Sequence, residues 1–337
     1  INAPDISLII CKEFIVFDKV NNKIFIVVFS ENSKSAYQAS QDKIKYYETL
    51  INNELTKKEP QKLSKDMTIK YDFQKDEFLK AVKDIKKYIN SGDVMQVVLS
   101  QRMTITFQEN PIDFYRELRK INPSPYMYYL NMGDYTVVGS SPEILARLEN
   151  DKVTVRPIAG TRPRGDNPTS DKNYEVDLIN DKKELAEHLM LLDLGRNDVG
   201  KVSKVNTVKV TEKFKVERYS HVMHIVSNVI GKFNNKFSLF ETLLSGFPAG
   251  TVSGAPKIRA MEIIDELEKN KRKLYAGGIG YFTPNGEFDT CIALRTALIK
   301  NKKFYVQAGA GVVADSKPEK EYAETVNKAK ALMRAVD

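Results

Sequence analysis

From Phe73 onward the chain switches between two hydrophobic periods. Phe78, Leu79, Val82, Ile85 and Ile89 recur at helical spacing up to a Ser91-Gly92-Asp93 break, and the run VMQVVLSQRMTITF that follows reads as a strand. The same reading predicts strands at 126–130, 135–139, 144–148, 153–157, 276–282, 289–299 and 304–314. It predicts helices at 111–121, 181–192, 239–246, 255–269 and 317–335. Before Phe73, ISLIICKEFIVFD and KIFIVVFS form two strands around a turn at Val20-Asn21-Asn22. SENSKSAYQASQDKIKYYETL is helical in tone, and TKKEPQKLSKDM is a connector. A hairpin at the very start implies that something precedes it, so residues 1–72 are expected to be the remnant of an N-terminal subdomain plus connector, with 73–337 as the main domain. The expected class is α+β with long strands. No fixed-period repeat or low-complexity tract interrupts it.

Composition narrows the function classes. At 337 residues, 42% hydrophobic and 28% charged, the chain is an ordinary globular one. No apolar run reaches membrane-span length and the N-terminus has no signal-peptide pattern, so the expected location is cytoplasmic and no membrane is implied. Cys11 and Cys291 are far apart with no metal-type spacing, and are expected to be buried apolar fillers. The net charge of +8 is scattered in short groups such as KNKRK and KNKK. That suits a solvated surface or attraction of an anionic small molecule. With no aromatic-plus-basic signature, no nucleic-acid partner is expected.

Two predicted helices each offer a carboxylate pair. Glu184 and Glu187 share one side of the helix KELAEHLMLLDL, with Leu189, Leu192 and their neighbours on another. Glu321 and Glu324 are likewise three apart, with Lys328 one turn on. Such spacing fits a solvated face, and it also fits a hard divalent cation, since Mg²⁺ takes one or two carboxylates and keeps the rest of its shell for water and substrate. GFPAGTVSGAPK, YAGGIGYF and QAGAGVV place small residues where backbone turns sharply or approaches a ligand, but none is a P-loop or a dinucleotide fingerprint. His224, Thr251, Tyr275 and Arg295 stand alone in sequence. Arg295, read as lying within a strand flanked by Ala293, Leu294 and Ala297, needs an anionic partner if buried.

Taken together, PIAGTRPRG, AEHLMLLDLGRNDVGKV, FPAGTVSGAPKIRAMEII, YAGGIGYF, ALRT and QAGAGVVADSKPEKEYAETVNKAKAL closely resemble the chorismate-utilising enzymes, from about residue 73 to the end. Within them the resemblance is to large subunits that make anthranilate. It implies an α+β fold with large, mostly antiparallel sheets forming a sandwich, helices outside, and 73–337 as the chorismate-binding catalytic domain. It also implies an Mg²⁺ ion on Glu187 and Glu324, supported by Glu184 and Glu321. Glu143 of GSSPEIL is similar to the family's general acid, which protonates the leaving C4 hydroxyl as the nucleophile adds at C2. His224 and Thr251 are similar to the residues beside the reacting ring, and Tyr275 with Arg295 to the pair that holds the enolpyruvyl carboxylate. Ala159, Gly160 and Thr161, together with Gly309, Ala310, Gly311 and Lys328, are implied to line the substrate.

Two positions choose among family members. Gln96 stands where the isochorismate- and salicylate-forming members have a lysine base, and a glutamine cannot take a proton from water. Ammonia is then the expected attacker. Ala159 stands where typical aminodeoxychorismate synthases have a lysine, which favours amination at C2 and loss of pyruvate to give anthranilate over the alternative 4-amino product of the folate pathway. A non-catalytic subunit that only docks a partner is a further alternative, opposed by the presence of every expected carboxylate with His224 and Arg295. The family's large subunit normally carries roughly a hundred more N-terminal residues, with its tryptophan feedback segment, and this sequence shows neither. Nor does it contain a glutaminase. The resemblance implies a hetero-oligomer in which a glutamine amidotransferase subunit delivers ammonia.

Overall fold

The computed structural model describes residues 1–54, 68–219 and 222–335. The connector TKKEPQKLSKDM lies outside the described residues. The chain divides into two compact units, residues 1–60 and 61–337. In the first, strands β1 (Glu13–Asp18) and β2 (Lys23–Val28) form an antiparallel hairpin, followed by helix α1 (Lys34–Asn52). Ser33 caps α1 by accepting the Ala36 N–H. Cys11 is exposed rather than a buried filler, because strand pairing begins only at Glu13.

The second unit holds two seven-stranded sheets in which every pairing is antiparallel. In chain order it runs β3 (Lys70–Tyr71), α2 (Lys75–Asn90), β4 (Gln96–Thr106), α3 (Pro111–Ile121), β5 (Tyr126–Asn131), β6 (Thr136–Ser141), β7 (Ile144–Glu149), β8 (Lys152–Val155) and β9 (Ile158–Pro163). Helices α4 (Pro168–Asn180) and α5 (Lys182–Val202), then β10 (Lys209–Arg218), β11 (Val222–Lys232) and α6 (Leu239–Ser245) follow. A 3₁₀ turn at Gly250–Val252 leads to β12 (Gly254–Ala255), α7 (Lys257–Leu267), β13 (Gly278–Phe282), β14 (Phe288–Ile292), β15 (Thr296–Lys300), β16 (Lys303–Val312) and α8 (Pro318–Met333).

One sheet has the order β12-β4-β16-β15-β6-β5, with β3 added to β4; the other has β10-β11-β8-β7-β14-β13, with β9 added to β11. β4 and β16 pair over ten residues, from Lys303 opposite Thr106 to Val312 opposite Val97. Their apolar side chains meet helices: Phe78, Val82 and Ile85 of α2 and Ala260 and Ile263 of α7 pack on Val97, Leu99 and Val312. Phe114 and Leu118 of α3 and Leu332 of α8 pack on Met103, Ile105 and Phe304. Each such fully buried side chain contributes ~1.5–3 kcal/mol of burial. On the other sheet, Leu192, Val199 and Val202 of α5 cover Val153, Val229 and Phe288.

Several predicted elements change. The segment 289–299 is two strands in different sheets, so Arg295 is not within a strand but lies between β14 and β15. α5 continues through Gly-Arg-Asn-Asp to Val202, because Asp198, Val199 and Val202 are buried and extend its contact stripe. Leu192 of that helix is buried as expected and Leu191 joins it, whereas Leu189 is exposed. α4, β9 and the β10–β11 hairpin were not expected from periodicity.

Candidate active site

Two passages between the sheets set the geometry. β6 lies in one sheet and, after Pro142 and Glu143, β7 continues in the other; β14 and β15 return through Ala293, Leu294 and Arg295. The passages run side by side, because β6 pairs with β15 and β7 with β14. They are joined by Ile292 N–H donating to Glu143 O at 3.0 Å, Ser140 N–H to Arg295 O at 3.1 Å, and Ser141 Oγ to Ile292 O at 2.6 Å. Arg295 bends its passage with a left-handed φ of 47°. Glu143 and Arg295 therefore occupy neighbouring bends of one two-stranded ribbon.

Glu143 is 6% exposed. Burial pushes its carboxyl up to about 8, although Thr251, the Ile158 N–H and the charges of Arg295 and Lys328 all pull it down. A carboxyl that keeps its proton near neutrality is suited to donate it. Thr251 Oγ1 is buried and favours the charged carboxylate, yet makes no hydrogen bond of ordinary geometry. Burial lowers the Arg295 guanidinium, partly countered by Tyr219 and Glu143, and no carboxylate lies within ion-pair distance of it among the described residues. That leaves its fork for an external anion.

His224 is held by a bulge. Its register partner is Thr161, whereas Ile225 pairs with Ala159, so Gly160 is the extra residue, with a φ of 75°. His224 Nδ1 lies 3.2 Å from Gly160 O and 3.0 Å from Thr161 Oγ1. The carbonyl only accepts, which makes Nδ1 the protonated nitrogen and leaves a lone pair on Nε2. Burial holds the ring below its usual value. His224, Arg295, Lys328 and Glu324 line one cavity of about 640 Å³ with Tyr219 and Pro142. Glu143 and Thr251 instead border a separate void of about 20 Å³ against Leu191, Leu194 and Asp198.

The four glutamates are brought near one another but not into a ligand cage. Among the described residues, no group of three or more metal-binding side chains is close enough to hold an ion. Glu187 is shifted upward, first by burial and then by the charges of Glu184 and Glu324, and Glu321 is shifted upward by burial and by Glu324. Glu184 accepts from Arg162 at 3.2 Å, and Glu324 pairs with Lys328 at 2.7 Å. Like-charge repulsion among the half-buried Glu184, Glu187 and Glu321 and the exposed Glu324 is a condition that a hard cation relieves, so the chemistry of this donor set is compatible with Mg²⁺.

Gln96, 3% exposed, donates from Nε2 to Glu187 Oε1 at 2.8 Å, and its Oε1 is buried without a partner. Beyond Val306, β16 no longer pairs with β15. There Lys328 Nζ donates to Gly309 O at 2.9 Å. The Tyr275 hydroxyl lies over Gly309 so closely that a Cβ would come within 2.7 Å of it, and within 3.2 Å of Leu99 O. Ala310 is buried, and at Gly311 a Cβ would meet Gln96 Nε2 at 2.5 Å. Small residues are what this close approach requires.

Four residues were not picked out from sequence. Arg162 gathers Asp177, Asp181 and Glu184. Asp198 and Lys257 form a buried ion pair at 2.9 Å between α5 and the start of α7. Arg272 binds Glu268 and two carbonyls behind Tyr275. Only Lys257, in SGAPKI, stood out as a charge in apolar surroundings; Arg162, Asp198 and Arg272 sit among other polar and charged residues, which hid them.

The sheets, the ribbon and the carboxylate-lined helix define a class: the chain belongs to the chorismate binding enzymes, whose family model matches residues 1–334. Within the class it is 52% identical to the anthranilate synthase component 1 of Pseudomonas aeruginosa over 338 residues, 99% of this chain and 69% of that one. The component 1 of Neisseria meningitidis serogroup A is 49% identical, covering 99% and 68%. The crystal structure of anthranilate synthase component I from Streptococcus pneumoniae superposes with a TM-score of 0.88 at 42% identity, covering 96% of this chain and 72% of that one. The menaquinone-specific isochorismate synthase of Escherichia coli follows at 0.76 and 25%, covering 88% and 69%.

Proposed function

We infer that this chain converts chorismate and ammonia to anthranilate. The observation that carries the reading is the neighbouring pair on the ribbon: a buried Glu143, whose carboxyl burial pushes up to about 8, beside an Arg295 with no carboxylate at ion-pair distance among the described residues. In this reading Arg295 and the Tyr275 hydroxyl bind the enolpyruvyl carboxylate. Ammonia adds its lone pair at C2, the ring double bonds shift, and Glu143 protonates the C4 hydroxyl, which leaves as water. His224, which lines the cavity and keeps a lone pair on Nε2, takes the C2 proton as the C3–O bond breaks, and delivery of a proton to the departing enolpyruvyl CH2 gives pyruvate and the aromatic ring. Gln96 has no basic nitrogen with which to activate water, which agrees with ammonia as nucleophile. Ala159 contributes no side-chain amine at its own position.

We assign Mg²⁺ to Glu187 and Glu324, with Glu184 and Glu321 at its outer side. When bound, the ion supplies the positive charge that orients the ring carboxylate among these glutamates. The component 1 naming of the relatives implies a partner component; we take it to be a glutamine amidotransferase that delivers ammonia. No helix of the described residues is long and apolar enough to cross a membrane, and we place the reaction in the cytoplasm.

The test is incubation with chorismate, Mg²⁺ and either an ammonium salt or glutamine, with products identified by mass and fluorescence. Anthranilate plus pyruvate from the ammonium salt alone is the expected outcome. An aminated product that retains its pyruvyl group, or turnover of glutamine by this chain, would overturn the assignment.

A further inference from the structure

Behind Tyr275 a single, largely enclosed side chain, Arg272, 16% exposed, touches three segments that present candidate site residues. Arg272 uses four of its five N–H donors. Nε donates to Glu268 Oε2 at 3.0 Å and Nη2 to Glu268 Oε1 at 2.7 Å, a bidentate pair whose carboxylate is 5% exposed. Nη2 also reaches Val98 O at 2.6 Å, two residues from Gln96 on β4, and Nη1 reaches Val252 O at 2.6 Å, next to Thr251. The guanidinium lies over the Tyr275 ring, 5.4 Å from its centroid. Glu268 is anchored in turn, accepting from Ser100 N at 2.8 Å and Ser100 Oγ at 2.7 Å, while Ser100 Oγ accepts from Gln307 Nε2 at 2.7 Å.

We propose that Arg272, held by Glu268, is a positioning residue for chorismate binding: it fixes the Tyr275 ring over Gly309 and ties the Thr251 turn to β4. Its charge is satisfied inside the protein, so it is not an anion site for substrate. The geometry also demands arginine. Lysine offers three donors from one point and cannot grip a carboxylate with two parallel bonds, reach two carbonyls on different segments and stack on a ring at once. Lys273 and Ala276, which flank Leu274-Tyr275, both take left-handed φ values, 54° and 65°. The loop's own conformation is thus a costly one, and a contact outside it has to hold the ring in place.

The proposal rests on the reading of Tyr275 as a substrate contact, and a double-mutant cycle separates the two. Arg272→Lys, Tyr275→Phe and the double variant are assayed with chorismate, Mg²⁺ and ammonium, and folding is checked by thermal unfolding. Tyr275→Phe is expected to raise KM about 10-fold, and Arg272→Lys to raise KM by about the same with kcat lowered less than 3-fold. In the double variant Arg272→Lys is expected to add little, because the group it positions is already gone. Equal, multiplying effects in the two backgrounds, or an Arg272→Lys loss confined to kcat, overturns the positioning role. An unchanged KM in Tyr275→Phe overturns the Tyr275 reading instead. If Arg272→Lys does not fold, Ser100→Ala loosens Glu268 with a small truncation and should show the same KM signature at about 3-fold; no KM change there overturns the proposal.

Discussion

At the scale of single residues, the site separates an acid from an anchor by environment. Glu143 and Arg295 share a ribbon, yet burial dominates the carboxyl strongly enough to outweigh the nearby positive charge. If Glu143 is the proton donor, Glu143→Gln should lower kcat at least 10²-fold, because the amide has no carboxyl proton to give. The same burial has a stability signature. The unfolded carboxyl loses its proton near ~4.3, whereas the folded one holds it to about 8. Across that window the folded chain carries one more proton, so stability falls as pH rises, by up to ~1.4 kcal/mol per pH unit, and levels off beyond about 8. Glu143→Gln lacks this slope. Melting curves should show the variant gaining on the parent from pH 5 to pH 8; parallel pH dependence would mean that Glu143 is ionised in the fold. A lone histidine amid Val and Ile reads equally as a core residue, and only the family resemblance singled out His224; its tautomer was not legible at all. That depends on Gly160 acting as a bulge, which only strand pairing reveals.

At the scale of elements, α5 keeps core and chemistry on different faces of one helix. Leu192→Ala removes a side chain packed on Val153, Val229 and Phe288, and should cost ~2–5 kcal/mol, read as a drop in Tm with the KM of the remaining folded enzyme unchanged. Glu187→Gln should do the reverse: near-complete loss of Mg²⁺-dependent turnover at an almost unchanged Tm. Full activity in Glu187→Gln would remove that glutamate from the metal assignment. The helices read best from sequence were those with a broad apolar stripe, such as α2 with Phe78, Val82 and Ile85. α4 buries only Asp171 and Leu178 and is tied down by ion pairs such as Arg164–Asp171 and Arg218–Glu175, so periodicity passes over it, although Asn167, Pro168 and Ser170 spell out a capped start. β10, with Lys and Glu on alternate positions of an outermost strand, hides its pattern beneath charge. The split of 289–299 was illegible for another reason. Both halves are apolar and buried, and only the left-handed φ at Arg295 marks the bend.

At the scale of the whole molecule, the candidate residues of both sheets and of α5 and α8 all fall in the second unit, residues 61–337. A net charge of +8 acts on a dianionic substrate at a distance. Raising ionic strength from about 20 to 200 mM should therefore lower kcat/KM for chorismate by about 2- to 5-fold, with kcat nearly constant. Salt-independent kcat/KM would confine the charge to solubility. The ribbon that changes sheets also limits how such a protein can diversify. Each passage is only two or three residues long and is registered against its neighbour on both sides. One residue added or removed in either would reverse the facing of the strand beyond it, burying polar positions and exposing apolar ones across half a sheet. Lineages carrying this site are then free to exchange side chains at the bends but not to alter their length, and new specificities have to arise by substitution around a frame of fixed size.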